Sequence, residues 1–190
     1  NTKNPDLFRE ITGVDPSFLQ ILIDKKIIIP KIINQTIEFL SEVIKDLHVN
    51  PSLEGAEDFI KRNLVMAGEE TSTPNSIVNE MLDKLPEEIW SDPNATFCDP
   101  VCGTGKFLMG VLERLMKGLE DEIPDEEERR AHIIENQIYG VDNAKFKTII
   151  AQNLLGTKGL KHHIINDDSL KLNWKEMPKF DVVVGNPPYK

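Results

Sequence analysis

The sequence predicts an α/β fold, a mostly parallel sheet covered by helices on both faces and preceded by a helical region. Three observations lead there. Beyond Gly68, short β-prone runs alternate with helical stretches, the pattern of parallel strands joined by crossover helices. Before it, apolar residues recur at three- and four-residue intervals, the spacing of helices with one buried stripe. The chain has 190 residues, 39% of them hydrophobic and 28% charged, enough for one core and a small satellite. Disorder, collagen and disulfide scaffolds are excluded by the same composition.

In chain order, a short helix is expected from Asp15 to Ile23. A longer one runs from Pro30 to Leu47, with Ile33, Ile37, Leu40, Ile44 and Leu47 on one stripe. A turn at Asn50-Pro51-Ser52 leads into a third, from Glu57 to Ala67. Residues 1–68 thus form a helical N-terminal region with no recognisable chemistry, and 69–190 form the α/β part. Strands are expected at Ala95 to Cys98, Ile138 to Val141, His163 to Ile165 and Phe180 to Val184. Helices should start near Gly105 and Glu126 and run from Ala144 to Leu155. The acidic run Glu120 to Glu128, broken by Pro124, reads as a solvated loop and helix start.

With 22 basic and 32 acidic residues the formal charge is -10, which argues against holding nucleic acid mainly by a positive field. The longest apolar runs, such as Ile27 to Ile29, are too short to cross a bilayer, and the polar start lacks a secretory pattern. A cytoplasmic setting with no membrane partner is expected. Cys98 and Cys102, four apart, match neither a redox pair nor a zinc knuckle, so both read as reduced and no metal site is expected. The chain has no initiator Met, so a piece of something longer is expected.

The chemistry should lie where the strands end, because open parallel sheets bind ligands outside their carboxyl ends. After the first strand comes Asp99-Pro100-Val101-Cys102-Gly103-Thr104-Gly105. Gly103 and Gly105 let the backbone approach a ligand closely, and the helix start that follows presents free N–H groups. A dinucleotide fingerprint needs glycine where Leu108 stands; a nucleotide-phosphate loop needs glycine at Pro100 and Ser or Thr at Phe107. Both matches fail. Asp99 would repel phosphates but hold a cation such as an α-amino group or sulfonium. An ordinary strand-to-helix turn is the alternative.

The second strand leads to Asp142, whose carboxylate can accept two hydrogen bonds from a ribose diol. The third is followed by Asn166-Asp167-Asp168; each acid taken alone could be a turn or cap. The fourth runs through Gly185 into Asn186-Pro187-Pro188-Tyr189. Two consecutive prolines remove two N–H donors and leave carbonyl acceptors, Asn186 adds a side-chain oxygen, and Tyr189 offers a flat face. That set suits a planar ring bearing an exocyclic amino group.

Here the sequence resembles the amino-group DNA methyltransferases that use S-adenosylmethionine, and within them the adenine-specific branch. DPVCGTGKFL resembles the cofactor motif and NPPY the catalytic motif, in the order found in type I and related restriction–modification systems. Thr73-Pro74 resembles the Thr-Pro segment that precedes the cofactor motif there, and the resemblance covers about Gly68 to Lys190. It implies a Rossmann-like class I methyltransferase sheet, incomplete here with four strands visible. It further implies that Asp99, Pro100, Gly103 and Gly105 line the methionine part of S-adenosylmethionine with Thr73 nearby, that Asp142 holds the ribose, and that Asp168 holds the cofactor's adenine amino group. Asn186 and the Pro187 carbonyl would accept from the target amino group, within the catalytic set Asn186, Pro187, Pro188 and Tyr189; Tyr189 would stack on the flipped base. Double-stranded DNA would be the substrate, reached largely through regions outside this chain, with a restriction or specificity subunit as partner. Two positions depart from the family: Glu70-Thr71-Ser72 replaces a common aromatic residue before Thr-Pro, and Asn143 stands where an apolar residue is usual. Methylation of protein glutamine or RNA, and a cofactor-binding fragment inactive alone, are the rival readings.

Overall fold

The computed structural model describes residues 73–187, together with 17, 24–25 and 52–55. Apart from Ser17, the helices expected over 15–23, 30–47 and 57–67 lie outside the described residues, as do Pro188 and Tyr189. The chain divides into two compact units, Asn1–Asp46 and Leu47–Lys190. All the elements named below belong to the second.

The first, α1 (Asn75–Leu82), was not anticipated as a helix. It starts where Pro74 cannot extend a helix backwards; the Pro74 carbonyl accepts from the N–H groups of Ile77 and Val78 at 3.0 and 3.1 Å. Val78 and Leu82, one turn apart, are its buried residues. A 3₁₀ turn at Glu87–Ser91 then places Trp90 flat on Phe97, with ring centroids 5.2 Å apart.

Strand β1 (Phe97–Asp99) starts later than the expected Ala95. The segment before it is occupied by side chains: Gln137 donates to the Ala95 carbonyl at 2.9 Å, and the Thr96 N–H and hydroxyl both donate to Asp181. Helix α2 (Lys106–Gly118) follows the glycine turn and buries Phe107, Leu108, Met109, Val111, Leu112 and Leu115. Each such side chain removed from water contributes about 1.5–3 kcal/mol, so α2 anchors the core. Helix α3 (Glu126–Asn136) begins where the acidic run predicted: Asp125 caps it by accepting from the Glu128 N–H at 2.8 Å, and three glutamates fill its first turn, where the helix dipole favours negative charge.

Strand β2 (Ile138–Asp142), helix α4 (Lys145–Leu155) and strand β3 (His163–Asn166) complete the alternation, with strand boundaries within a residue of those expected. Strand β4 is only Val182–Val183, shorter than the expected Phe180 to Val184. Among the described strands it pairs with β1 alone, and Val183 is 64% exposed, so it forms an edge of the described sheet.

All pairs are parallel, in the order β3-β2-β1-β4. The chain therefore steps outward from β1 to β3 and returns to the other side of β1 for β4. That reversal opens a crevice at the carboxyl ends of β1 and β4, the place where open α/β sheets bind ligands. Gly140 of β2 faces Leu108 of α2, so Tyr139 faces away, and there it stacks on His163 and meets Phe180. The second face is covered at this point by the β3–β4 connection, residues 167–181, which contains no helix.

Candidate active site

The glycine turn is held from three sides. Asp99, at the end of β1, accepts from the Val101 N–H at 3.0 Å and so closes the turn on itself. The Cys102 N–H donates to the Val141 carbonyl at 2.8 Å, tying the turn to β2. The Ser169 hydroxyl donates to the Pro100 carbonyl, tying it to the β3 exit. Gly103 and Gly105 have φ of 54° and 87°, values that a side chain opposes, and Gly105 enters α2 in a left-handed conformation with no side chain capping the helix. The first-turn N–H groups of α2 thus have no side-chain cap.

Asp142 joins two strand exits. One carboxylate oxygen accepts from the Gly103 N–H at 3.0 Å and the other from the Ala144 N–H at 2.8 Å. A carboxylate has about four lone-pair sites, so each oxygen retains acceptor capacity for a ligand. Asn166 and Asp167 donate to the Asp142 carbonyl at 2.9 and 3.1 Å, which fixes the β3 exit beside it.

Asp99 is 2% exposed, and burial, aided by the nearby Asp142 charge and opposed by the Val101 N–H, pushes its carboxyl up to about 7. The folded chain thus keeps a proton that the unfolded chain, near 3.8, has already lost. Stability from this group is full below about pH 4 and is lost as pH rises through about 7, on the order of 4 kcal/mol over the whole window. Urea unfolding between pH 5 and 8 should show that decline, and Asp99→Asn should flatten it. An unchanged slope in the variant would assign the decline to another group.

Gly185 brings the fourth strand exit to this carboxylate. Its φ is 151°, and a Cβ there would lie 2.6 Å from Asp99 Oδ1. Only a glycine lets Asn186 follow so closely behind the glycine turn. The Asn186 Nδ2 donates to Thr73 Oγ1 at 3.1 Å, and the Lys106 ammonium donates to the Thr73 carbonyl. Pro187 is exposed; Pro188 and Tyr189 lie outside the described residues.

Of the residues singled out from sequence, Asp99, Pro100, Gly103 and Gly105 share one turn, which the Gly103 N–H ties to Asp142, and Gly185 brings Asn186 close to it. Thr73 stands against Asn186. Asp168 sits at the rim, where it accepts from the Leu170 N–H at 3.0 Å and pairs with Lys171 at 3.0 Å; these contacts lower its pKa. Gly185, Ser169 and Lys106 were not singled out. Gly185, a lone glycine between a strand and a proline pair, was the legible signal among them.

Burial pushes the Cys98 thiol up to about 12 and raises that of Cys102 as well, so neither is a ready nucleophile. Among the described residues no group of three His, Cys, Asp or Glu side chains could hold a metal ion, and no helix is long and apolar enough to cross a membrane.

The sequence pattern of a family described as N-6 DNA Methylase matches residues 57–190. The chain belongs to this family. That match spans the whole cluster, from Thr73 to the Asn-Pro-Pro-Tyr run. Among curated relatives, a protein named an uncharacterized adenine-specific methylase, from Mycoplasma pneumoniae, is 33% identical over 101 residues, covering 52% of this chain and 24% of that protein. The type II methyltransferase M.VspI of a Vibrio species is 28% identical over 160 residues, covering 80% of this chain and 33% of its own. The type II restriction enzyme and methyltransferase RM.BcgI of Heyndrickxia coagulans is 32% identical over 94 residues, covering 48% and 14%. The chain spans a third or less of the length of each of these relatives. As a member of the N-6 DNA methylase family it carries the Rossmann-like α/β sheet expected from its motifs, with the motif-bearing strand ends gathered at the sheet's reversal.

Proposed function

We propose that this chain is the cofactor-binding and catalytic part of an enzyme that methylates the exocyclic amino group of adenine in DNA, with S-adenosylmethionine as donor. The observation that carries the reading is the approach of Gly185 to Asp99, which brings Asn186, the first residue of the Asn-Pro-Pro-Tyr run, close to the glycine turn.

The donor set fits S-adenosylmethionine. Asp99 is a carboxylate whose acidity burial suppresses, so a cationic amino group beside it would favour its charged form. Asp142, at the next strand end, keeps lone pairs for a ribose diol. Helix α2 starts directly after the turn that the Gly103 N–H ties to Asp142. Asp168, with its paired carboxylate at the rim, is assigned to the cofactor's adenine amino group. When bound, S-adenosylmethionine supplies a methyl group activated on a sulfonium.

This chain's part is to make a poor nucleophile competent. The adenine amino lone pair is delocalised into the ring. Accepting its N–H hydrogens at the Asn186 side-chain oxygen and the Pro187 carbonyl favours a tetrahedral nitrogen and stabilises the positive charge that develops there. The adjacent prolines supply no N–H to compete for those acceptors. Target bases are stacked in duplex DNA, so the adenine must be flipped out, with Tyr189 as stacking platform. No covalent enzyme intermediate is required, in keeping with the suppressed acidity of both thiols.

With a formal charge of -10, the grip on duplex DNA is assigned to regions outside this chain. The similarity to a restriction enzyme and methyltransferase supports a restriction–modification setting, with a restriction or specificity subunit as partner. Labelled methyl transfer from S-adenosylmethionine to adenine-containing duplex, RNA and protein acceptors tests the reading. Label on the adenine amino nitrogen of duplex DNA is expected; label only on RNA or on protein glutamine would overturn it.

A further inference from the structure

Lys106 breaks two local rules at once. It is the first residue of α2, where the helix dipole disfavours a cation, and it is 5% exposed, where an ammonium loses its hydration. Exposed glutamates occupy the equivalent turn of α3, at no such cost. A cation placed against both local electrostatics and burial is a candidate for a role in the site. Its ammonium reaches across 33 residues of sequence to donate to the Thr73 carbonyl, and the hydroxyl of that same Thr73 accepts from Asn186 Nδ2 at 3.1 Å.

We propose that Lys106 is a positioning residue: through Thr73 it locks the Asn186 carboxamide in fixed register with the glycine turn. Lys106 directly follows Gly105, so the brace runs from the turn assigned to the methyl donor to the amide assigned to the acceptor base. It thereby couples two halves of the site that are 81 positions apart in the chain, with Gly105 at one end and Asn186 at the other. Thr73 accordingly serves the amide and not chiefly the cofactor. The inference rests on the assignment of Asn186 as the acceptor of the target amino group. Methyl transfer is sensitive to such placement, since misplacing a reacting group by about 1 Å can cost about 100-fold.

The test uses Lys106→Met, Thr73→Val and Thr73→Ser in the whole chain, read two ways. The first needs no turnover: the Asn186 side-chain amide signals, assigned by nuclear magnetic resonance from their loss in Asn186→Asp, should shift and exchange faster with water in Lys106→Met and Thr73→Val, and return toward wild type in Thr73→Ser. The second is kinetic: kcat should fall about 10- to 100-fold in the first two variants, with the KM for S-adenosylmethionine changed by less than about threefold. The double variant should be no worse than the poorer single one, the mark of a shared path. Unperturbed Asn186 amide signals in Lys106→Met would overturn the brace whatever the activity. A wild-type chain that methylates no DNA, but whose amide signals respond as described, would sink the assignment of function and leave the brace standing.

Discussion

Asn186→Ala is expected to reduce methyl transfer by about 100- to 1,000-fold while leaving S-adenosylmethionine affinity within about threefold. The substitution removes the side-chain acceptor on which lone-pair localisation depends, and a donor or acceptor aimed at developing charge is worth about 3–4 kcal/mol of barrier. The Pro187 carbonyl remains, but one acceptor cannot hold both amino hydrogens in a tetrahedral arrangement. Little stability should be lost, because Asn186 is exposed and its hydrogen bond to Thr73 Oγ1 is neutral, worth about 1 kcal/mol net. On the proposed reading, Asp99 and Asp142 hold the cofactor, and the substitution alters neither residue. Single-turnover transfer and calorimetry with the same preparation separate the two effects. Turnover within tenfold of wild type would remove Asn186 from the chemistry.

The strand ends were legible because each is a local feature. Asp99 with its two glycines, Asp142 after a run of apolar residues, and the proline pair after Asn186 all show as polar interruptions at the ends of β-prone runs. Helix α3 was legible for the same reason, since Asp125 and three glutamates are a complete start signal. What sequence could not show is contact across long separations. The lateness of β1 depends on Gln137 and Asp181, 42 and 85 residues away from their partners, taking the hydrogen bonds of Ala95 and Thr96. Strand β4 was read as longer than its two paired residues, because the valine run shows β propensity but not how far a neighbour accompanies it, and among the described strands only β1 does. Helix α1 carries a stripe of only two buried residues, too short for a periodic signal. Lys106 looked like an ordinary helix residue because nothing nearby in sequence announces Thr73 as its partner.

Gly185→Ala should be the most damaging single-methyl change in the site. Two costs add. At φ 151° the backbone lies where L side chains rarely go, a strain of about 1–3 kcal/mol. The new Cβ would stand 2.6 Å from Asp99 Oδ1, and that oxygen cannot retreat without giving up the Val101 N–H that closes the glycine turn. Loss of stability of about 3 kcal/mol or more is expected in urea unfolding, together with at least about 100-fold weaker S-adenosylmethionine binding, because either the β4 exit or the Asp99 carboxylate must move. Shrinking the other partner distinguishes crowding from chemistry. In Asp99→Ser/Gly185→Ala the clash is relieved, so stability should recover in part while binding stays weak, the cation having lost its carboxylate. Gly185→Ala with wild-type stability and affinity would mean that the fourth strand exit does not press on Asp99, and the proposed placement of the Asn186 amide beside the glycine turn would fall with that contact.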